Sequence, residues 1–200
     1  MANLNLFVIT GPNAAGKSSF IRSRLNEFSN FEVIMTDVYK TRTKEVFYNA
    51  LKEKKNIVFE TVFNNITFKD YIVDAKKAGY ETNLIVLFLN SPQQSLNRVA
   101  TRYLEQNGLD ITKGNVGINF NENFKNVAFH HYYFDQTDFI YTGNKNRNEK
   151  IMTLRGLEMF DYYSNSHQFI QLFAKYAFSN DRLSETAFSI INKNIDFSNL

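Results

Sequence analysis

The sequence predicts an α/β fold: a parallel sheet flanked by helices on both faces, with a helical C-terminal extension. Three observations predict it. Short apolar runs alternate with helix-periodic stretches over residues 4–142, the pattern of βαβ units with parallel strands. One run, Leu84 to Leu89, is apolar throughout, as a central strand covered on both faces requires. The alternation then stops, and residues 145–200 are rich in aromatics and read as two or three helices. At about 150 residues per domain, the 200 residues imply one α/β domain over 1–144 with the extension, 145–200, packed onto it.

Taken in order, Leu4 to Ile9 reads as a strand that stops at the turn cluster Gly11-Pro12-Asn13. A helix follows from Lys17 to Phe28, with Phe20, Ile21, Leu25 and Phe28 on its apolar side. Phe31 to Met35 is a strand closed by Thr36-Asp37, and Thr41 to Lys54 is helical through Val46, Phe47, Ala50 and Leu51. Asn56 to Glu60 is a third strand. Phe68 to Ala78 is a helix ending at Gly79, a suitable C′ residue. After the central run, Ser91-Pro92 opens a helix with serine as cap and proline at its first position, and this helix reaches Gln106. Asn107 to Asn119, polar and carrying Gly108, Gly114 and Gly117, reads as a mobile loop. Phe124 to Tyr133 is helical, and Phe139 to Thr142 is the last strand. Met152, Leu157, Met159 and Phe160, then Phe169, Ile170, Leu172, Phe173 and Tyr176, are packing stripes at helical spacing.

Composition narrows the function classes. The chain is 44% hydrophobic and 22% charged, enough apolar material for a core. No cysteine is present, which excludes disulfides, thiolate metal sites and a cysteine nucleophile. Three histidines, His130, His131 and His167, are too few and too scattered for a metal cage. A net charge of +3 calls for neither nucleic acid nor an anionic membrane as partner, and suits an anionic small substrate. The first residues do not read as a signal peptide and no run is long enough to span a membrane, so the expectation is a soluble, cytoplasmic protein.

The strongest signal is Gly11-Pro12-Asn13-Ala14-Ala15-Gly16-Lys17-Ser18, which fits G-x-x-x-x-G-K-[ST] between a strand and a helix. Glycines let successive amides turn into one concavity, and the positive end of the new helix adds to it. Lys17 supplies a cation for the β- and γ-phosphates, and the Ser18 hydroxyl can ligate Mg²⁺. Residues 11–18 with Ser19 are the expected nucleotide-binding set. The motif alone does not distinguish kinase, hydrolase and switch.

Ligands of open parallel sheets lie beyond the carboxyl ends of the strands. There Asp37 is a candidate base for a substrate hydroxyl, or else a helix cap. Glu60 can anchor a substrate hydroxyl or a Mg²⁺-bound water, or be a solvated strand-end charge. The fourth strand ends in Asn90, without the carboxylate of a motor-type ATPase. Arg98 and Arg102, four apart on one helix face, can reach phosphates or form an ordinary solvated face. Lys113 is a candidate lid residue.

The phosphate motif, Thr36-Asp37, Phe59-Glu60-Thr61, the run Ala75 to Tyr80 before Leu84 to Pro92, and Arg98-Val99 with Arg102 together resemble the zeta-toxin-like P-loop kinases, over residues 5–142. The resemblance implies a P-loop NTPase/kinase-like fold and an enzyme that phosphorylates an alcohol, with ATP or GTP as donor. The acceptor it implies is a sugar hydroxyl of a UDP-N-acetylglucosamine-like nucleotide sugar. Carried over by position, Lys17 and Ser18 hold the triphosphate and Mg²⁺, and Asp37 is the base. Glu60 and Thr61 bind substrate, and Arg98 or Arg102 neutralises the transferring phosphate. An antitoxin protein is the implied partner. Two departures stand out. Glu60-Thr61-Val62 replaces the family's frequent Glu-Thr-Thr, and Asn107 to Phe120 contains none of the arginines the family carries in its lid. Such arginines are worth about 10³–10⁵ in rate, so their absence bears on turnover more than on binding. Lys113, Arg147 or Arg155 are candidate replacements. The alternatives to a kinase are a nucleotide-binding regulatory or toxin–antitoxin module with little catalysis, and a nucleoside-triphosphate hydrolase. The aromatic run Phe129 to Phe134 reads as core packing, with a base-stacking surface as its functional alternative.

Overall fold

Side-chain parity along the strands decides which helices cover which face. The computed structural model describes residues 4–106, 112–144 and 147–199. Strands β1 (Leu4–Thr10), β2 (Phe31–Met35), β3 (Asn56–Thr61), β4 (Tyr80–Phe88) and β5 (Gln136–Tyr141) are parallel, and β6 (Glu149–Arg155) and β7 (Glu158–Tyr162) continue the sheet antiparallel. The sheet order is β2-β3-β1-β4-β5-β6-β7. On β1 and β4, Leu6, Val8, Leu84, Val86 and Phe88 point to one face. There they meet Phe47 of α3 (Thr43–Lys52), Ile72 and Ala75 of α4 (Phe68–Lys77), and Val127 of α6 (Lys113–His130). The intervening Ile9, Ile85 and Leu87 point to the other face, against Phe20 and Ile21 of α1 (Lys17–Arg22) and against Phe28. The remaining helices are α2 (Thr36–Tyr39), α5 (Pro92–Gln106), α7 (Gln168–Ser179) and α8 (Glu185–Lys193). No helix among the described residues is long and apolar enough to cross a membrane.

The C-terminal region carries α7 and α8, but it is not wholly helical. Residues 149–162 form a hairpin that extends the sheet, so β5 is not the last strand. Its turn is the two-residue Gly156-Leu157, with Gly156 at a φ of +59°, the left-handed conformation that tight hairpins need. Met152, Met159 and Phe160 therefore lie on strands: Met152 is buried, while Phe160 is exposed beneath the Arg155 guanidinium, 3.6 Å from the ring centroid.

Two further expectations are corrected. The first helix ends at Arg22 and continues as irregular turns, with the Ser23 hydroxyl donating to the Phe20 carbonyl at its end. Leu25 faces solvent, whereas Phe28 stays buried against Phe7 and Phe31. The loop expected over 107–119 lies partly outside the described residues, and from Lys113 onward it is helix α6. Thr112 caps α6, its hydroxyl accepting from the Asn115 amide. Gly114 and Gly117 weaken helix propensity, but buried Val116, Phe120, Asn123 and Val127 recur at helical spacing, and that packing prevails.

The histidine pair is core. His131 is fully buried with its ring 5.2 Å from that of Phe173, and burial pulls its pKa from 6.5 down to about 4. Between those values the unfolded chain binds a proton that the native ring does not. Stability therefore falls as pH drops through the window, by about 3 kcal/mol from this residue. Urea melts from pH 7 to pH 4 are expected to show this loss, and His131→Phe, which keeps an aromatic ring but has no titrating nitrogen, to flatten it. Equal slopes in both proteins would assign the loss elsewhere. Phe129, Tyr132 and Tyr133 are half-buried near Arg182 and Lys69, just before the start of β5, at the end of the sheet away from the Gly11–Ser18 bend.

Candidate functional site

β1 lies between β3 and β4, so the chain leaving its carboxyl end enters the crevice of a topological switch point. The Gly11–Ser18 bend stands there. Gly11 has a φ of +156°, and a Cβ on it would fall 2.2 Å from the Leu87 carbonyl oxygen. The bend's outer carbonyls are taken up by side chains. The Ser95 hydroxyl donates to the Asn13 carbonyl (2.6 Å), Arg98 Nη1 to that of Ala14 (3.3 Å), and the Thr142 hydroxyl to that of Ala15 (2.8 Å). Carbonyls drawn outward turn the intervening amides inward. Among the described residues, the amides of Asn13, Ala14 and Gly16 have no protein acceptor. Free amides gathered in such a concavity suit an anion.

Lys17 lies inside the bend and donates to the carbonyls of Gly11 (2.9 Å) and Pro12 (3.2 Å). Burial lowers its pKa, the charges of Glu60 and Asp37 oppose that shift, and Arg102 adds to it. Glu60, 5% exposed at the end of β3, receives the Ser18 hydroxyl at 3.4 Å from each carboxylate oxygen. Burial raises its pKa; Lys17 opposes the shift and Asp37 reinforces it. Asp37 is exposed in the first turn of α2, near enough for its charge to act on both groups. Met35 occupies the cap position of that helix without a side-chain bond, so Asp37 is not a cap.

Ser18 and Glu60 are an oxygen-only pair, the donor type Mg²⁺ prefers, with phosphate oxygens and water left to complete its shell. No cluster of three or more His, Cys, Asp or Glu suited to a metal occurs among the described residues.

The other expected residues divide. Thr61 is buried and its hydroxyl accepts from the Phe63 amide (3.0 Å). Arg98 is held by the carbonyls of Ala14 and Thr142, bracing the bend against the end of β5. Arg102, one turn along, is exposed, makes no hydrogen bond or ion pair among the described residues, and acts electrostatically on both Lys17 and Glu60. Ser19 is exposed on α1, and Lys113 is exposed in the first turn of α6 rather than in a loop. Arg147 is exposed between β5 and β6, on the side of the bend. Arg155 cannot stand in for a lid arginine. It pairs near Gln136 at the start of β5, the far end of the sheet. Sequence reasoning missed Ser95, Thr142 and Asn119. Ser95 was the most readable, three residues before Arg98 and seven before Arg102 on the same helix face.

Residues 40–151 match the profile of the zeta toxin family. The chain belongs to the zeta toxin family. The match covers more than half of this zeta-toxin-family chain, and lies C-terminal to both the Gly11–Ser18 bend and Asp37. Solved structures share its fold. One comes from the PezAT chromosomal toxin–antitoxin system of Streptococcus pneumoniae, with 13% identity, a TM-score of 0.56, and coverage of 90% of this chain and 88% of that one. A chain of the AvrRxo1-ORF1:AvrRxo1-ORF2 complex gives 16% identity, a TM-score of 0.61 and coverage of 88% and 64%. The same complex with ATP gives 17%, 0.59, and 92% and 66%. The zeta-toxin-family chain thus spans just under two thirds of the AvrRxo1 relative. No curated protein matches it significantly.

Proposed function

We propose that this protein is a Mg²⁺-dependent kinase that transfers the γ-phosphoryl group of ATP or GTP to a hydroxyl of a nucleotide sugar of the UDP-N-acetylglucosamine type. The observation that carries the reading is the convergence of Lys17, Ser18 and Glu60 beside an amide-lined bend, with the charges of Asp37 and Arg102 acting on the same groups. Family membership and the ATP complex of a structural relative support the donor.

In this reading the bend amides and Lys17 hold the β- and γ-phosphates. Ser18 and Glu60 would hold Mg²⁺, which would supply charge neutralisation for the phosphate oxygens. Asp37 accepts the proton of the acceptor hydroxyl as its oxygen bonds to the γ-phosphorus, and the bond to the β–γ bridging oxygen breaks to release the nucleoside diphosphate. Asp37 is exposed, so an acceptor can reach it from solvent. Arg102, free of protein partners among the described residues, offsets charge on the transferring group. The toxin–antitoxin system of one relative supports a protein partner of the antitoxin kind.

A specific observation favours a second reading, a nucleotide-binding module with slow turnover. Arg98 is occupied by two backbone carbonyls, and α6 presents Asn119, not an arginine, to the bend. Mass detection of phosphorylated products from a panel of nucleotide sugars separates the two. Asp37→Asn is expected to lower product formation about 10²–10⁴-fold while leaving nucleotide affinity near wild type. An unchanged rate in this variant would remove Asp37 as the base, and tight nucleotide binding without product would favour the second reading.

A further inference from the structure

Helix α6 turns three asparagines toward the bend and the end of β3. Asn119, Asn123 and Asn126, spaced four and three apart, share one helix face. Asn119 Nδ2 donates to the Asn13 side-chain oxygen at 2.9 Å, and its Oδ1 accepts from Asn64 Nδ2 at 2.8 Å. Asn123, 1% exposed, donates to the Thr10 hydroxyl (2.9 Å) and to the Val62 carbonyl. Asn126 Nδ2 donates to the Phe63 carbonyl at 3.2 Å. The partners adjoin both halves of the site: Thr10 and Asn13 at the Gly11–Ser18 bend, Val62 to Asn64 directly after Glu60 and Thr61. The second segment is strained, since buried Phe63 sits at a φ of +55°, an outlier for a bulky side chain that its surroundings must hold in place. Asparagine is a poor helix former, so helix propensity does not explain this face.

We propose that Asn119 is a positioning residue for nucleotide binding. Its carboxamide is a clasp between Asn13 of the bend and Asn64 of the turn after β3, so the seating of α6 sets the shape of the amide nest. The inference rests on the phosphate-loop reading and adds a residue to it. With Asn13 and Asn64 turned as they are, the clasp donates on one side and accepts on the other, which a single carboxamide does.

The test is calorimetric titration of the full chain with Mg²⁺ and ATPγS or GTPγS, using Asn13→Ala, Asn119→Ala and the double variant, with thermal melts alongside. Each single variant is expected to weaken nucleotide binding about three- to tenfold, since both lose the Asn119–Asn13 bond; Asn119→Ala also loses the bond from Asn64. The double variant is expected to be no weaker than the weaker single one, because both substitutions break the same link. Asn119 is only half-buried, so the melting temperature is expected to move little. Asn119→Asp keeps the acceptor for Asn64, loses the donor to Asn13 and adds a negative charge at the nest. Its loss is expected to exceed tenfold. Unchanged affinity in Asn119→Ala, or single effects that simply multiply in the double variant, overturns the clasp. Lys17→Ala separates this from the underlying reading. If it abolishes binding while the asparagine variants bind normally, only the clasp fails; if it binds normally, the phosphate-loop reading fails and takes the clasp with it.

Discussion

Lys17→Ala is expected to lower phosphoryl transfer about 10²–10³-fold, the scale seen when one preorganised charge-stabilising donor is removed from a water-poor site, with little change in melting temperature. The two halves of this expectation have one cause. Lys17 as a residue is 8% exposed, and among the described residues no carboxylate stands within ion-pair distance of its ammonium, whose hydrogen bonds go to the carbonyls of Gly11 and Pro12. Burial thus weighs against its charged form, and Glu60 and Asp37 offset this only from a distance. Truncation forfeits two hydrogen bonds but also relieves a buried charge, so the effects on stability oppose each other. A phosphate chain in the nest would supply the counter-charge that the protein withholds. Lys17→Arg retains the charge but has to fit a wider planar group into the bend, so it is expected to be impaired as well. Nucleotide titration and a coupled rate assay, each beside a thermal melt, check all three quantities. A variant that melts far below wild type would show that Lys17 mainly holds the bend together.

How much of this was legible in the sequence depends on the kind of signal. The bend was the plainest part: its spacing is written in consecutive residues, and β1 runs and α1 begins where the apolar run and the glycines say they should, although α1 stops at Arg22, short of the Phe28 that its apolar spacing suggested. Asp37 and Glu60 were singled out because a parallel sheet puts the carboxyl ends of β2, β3 and β1 along one edge, a consequence of topology alone. The reading weakened where long-range packing outvotes local preference. Helix α6 holds two glycines and five asparagines, a composition that reads as loop, and it is made helical by Val116, Phe120 and Val127 seated in the core. The hairpin was lost for the converse reason. Ile151, Met152, Thr153 and Leu154 are buried consecutively, without the alternation that marks a half-exposed strand, so they mimic a packed helix. Arg98 shows the limit for side-chain roles: its position on α5 was readable, but its engagement with the carbonyls of Ala14 and Thr142 depends on chain segments far apart in sequence.

Gly11→Ala is the substitution expected to damage the fold most, by about 4 kcal/mol, the upper end of single-residue effects, with loss of nucleotide binding. The Cβ would stand 2.2 Å from the Leu87 carbonyl oxygen and 3.1 Å from the Ala15 Cβ. Leu87 is fully buried in β4, whose register is fixed on both sides by β1 and β5, so its carbonyl cannot retreat without disturbing the centre of the sheet. Relief has to come from the bend itself, and moving it breaks the bonds from Ser95, Arg98 and Thr142 that aim the amides inward. Gly16→Ala isolates the other part of a glycine's role. Its φ of +91° is unfavourable for alanine, but nothing lies within 4 Å of the added Cβ. Only backbone strain is then incurred, about 1–2 kcal/mol. Denaturant melts of the two variants are expected to separate clearly, with Gly11→Ala the less stable. Similar losses in both would mean that the backbone angle, not the approach of β4 to the bend, is what reserves position 11 for glycine.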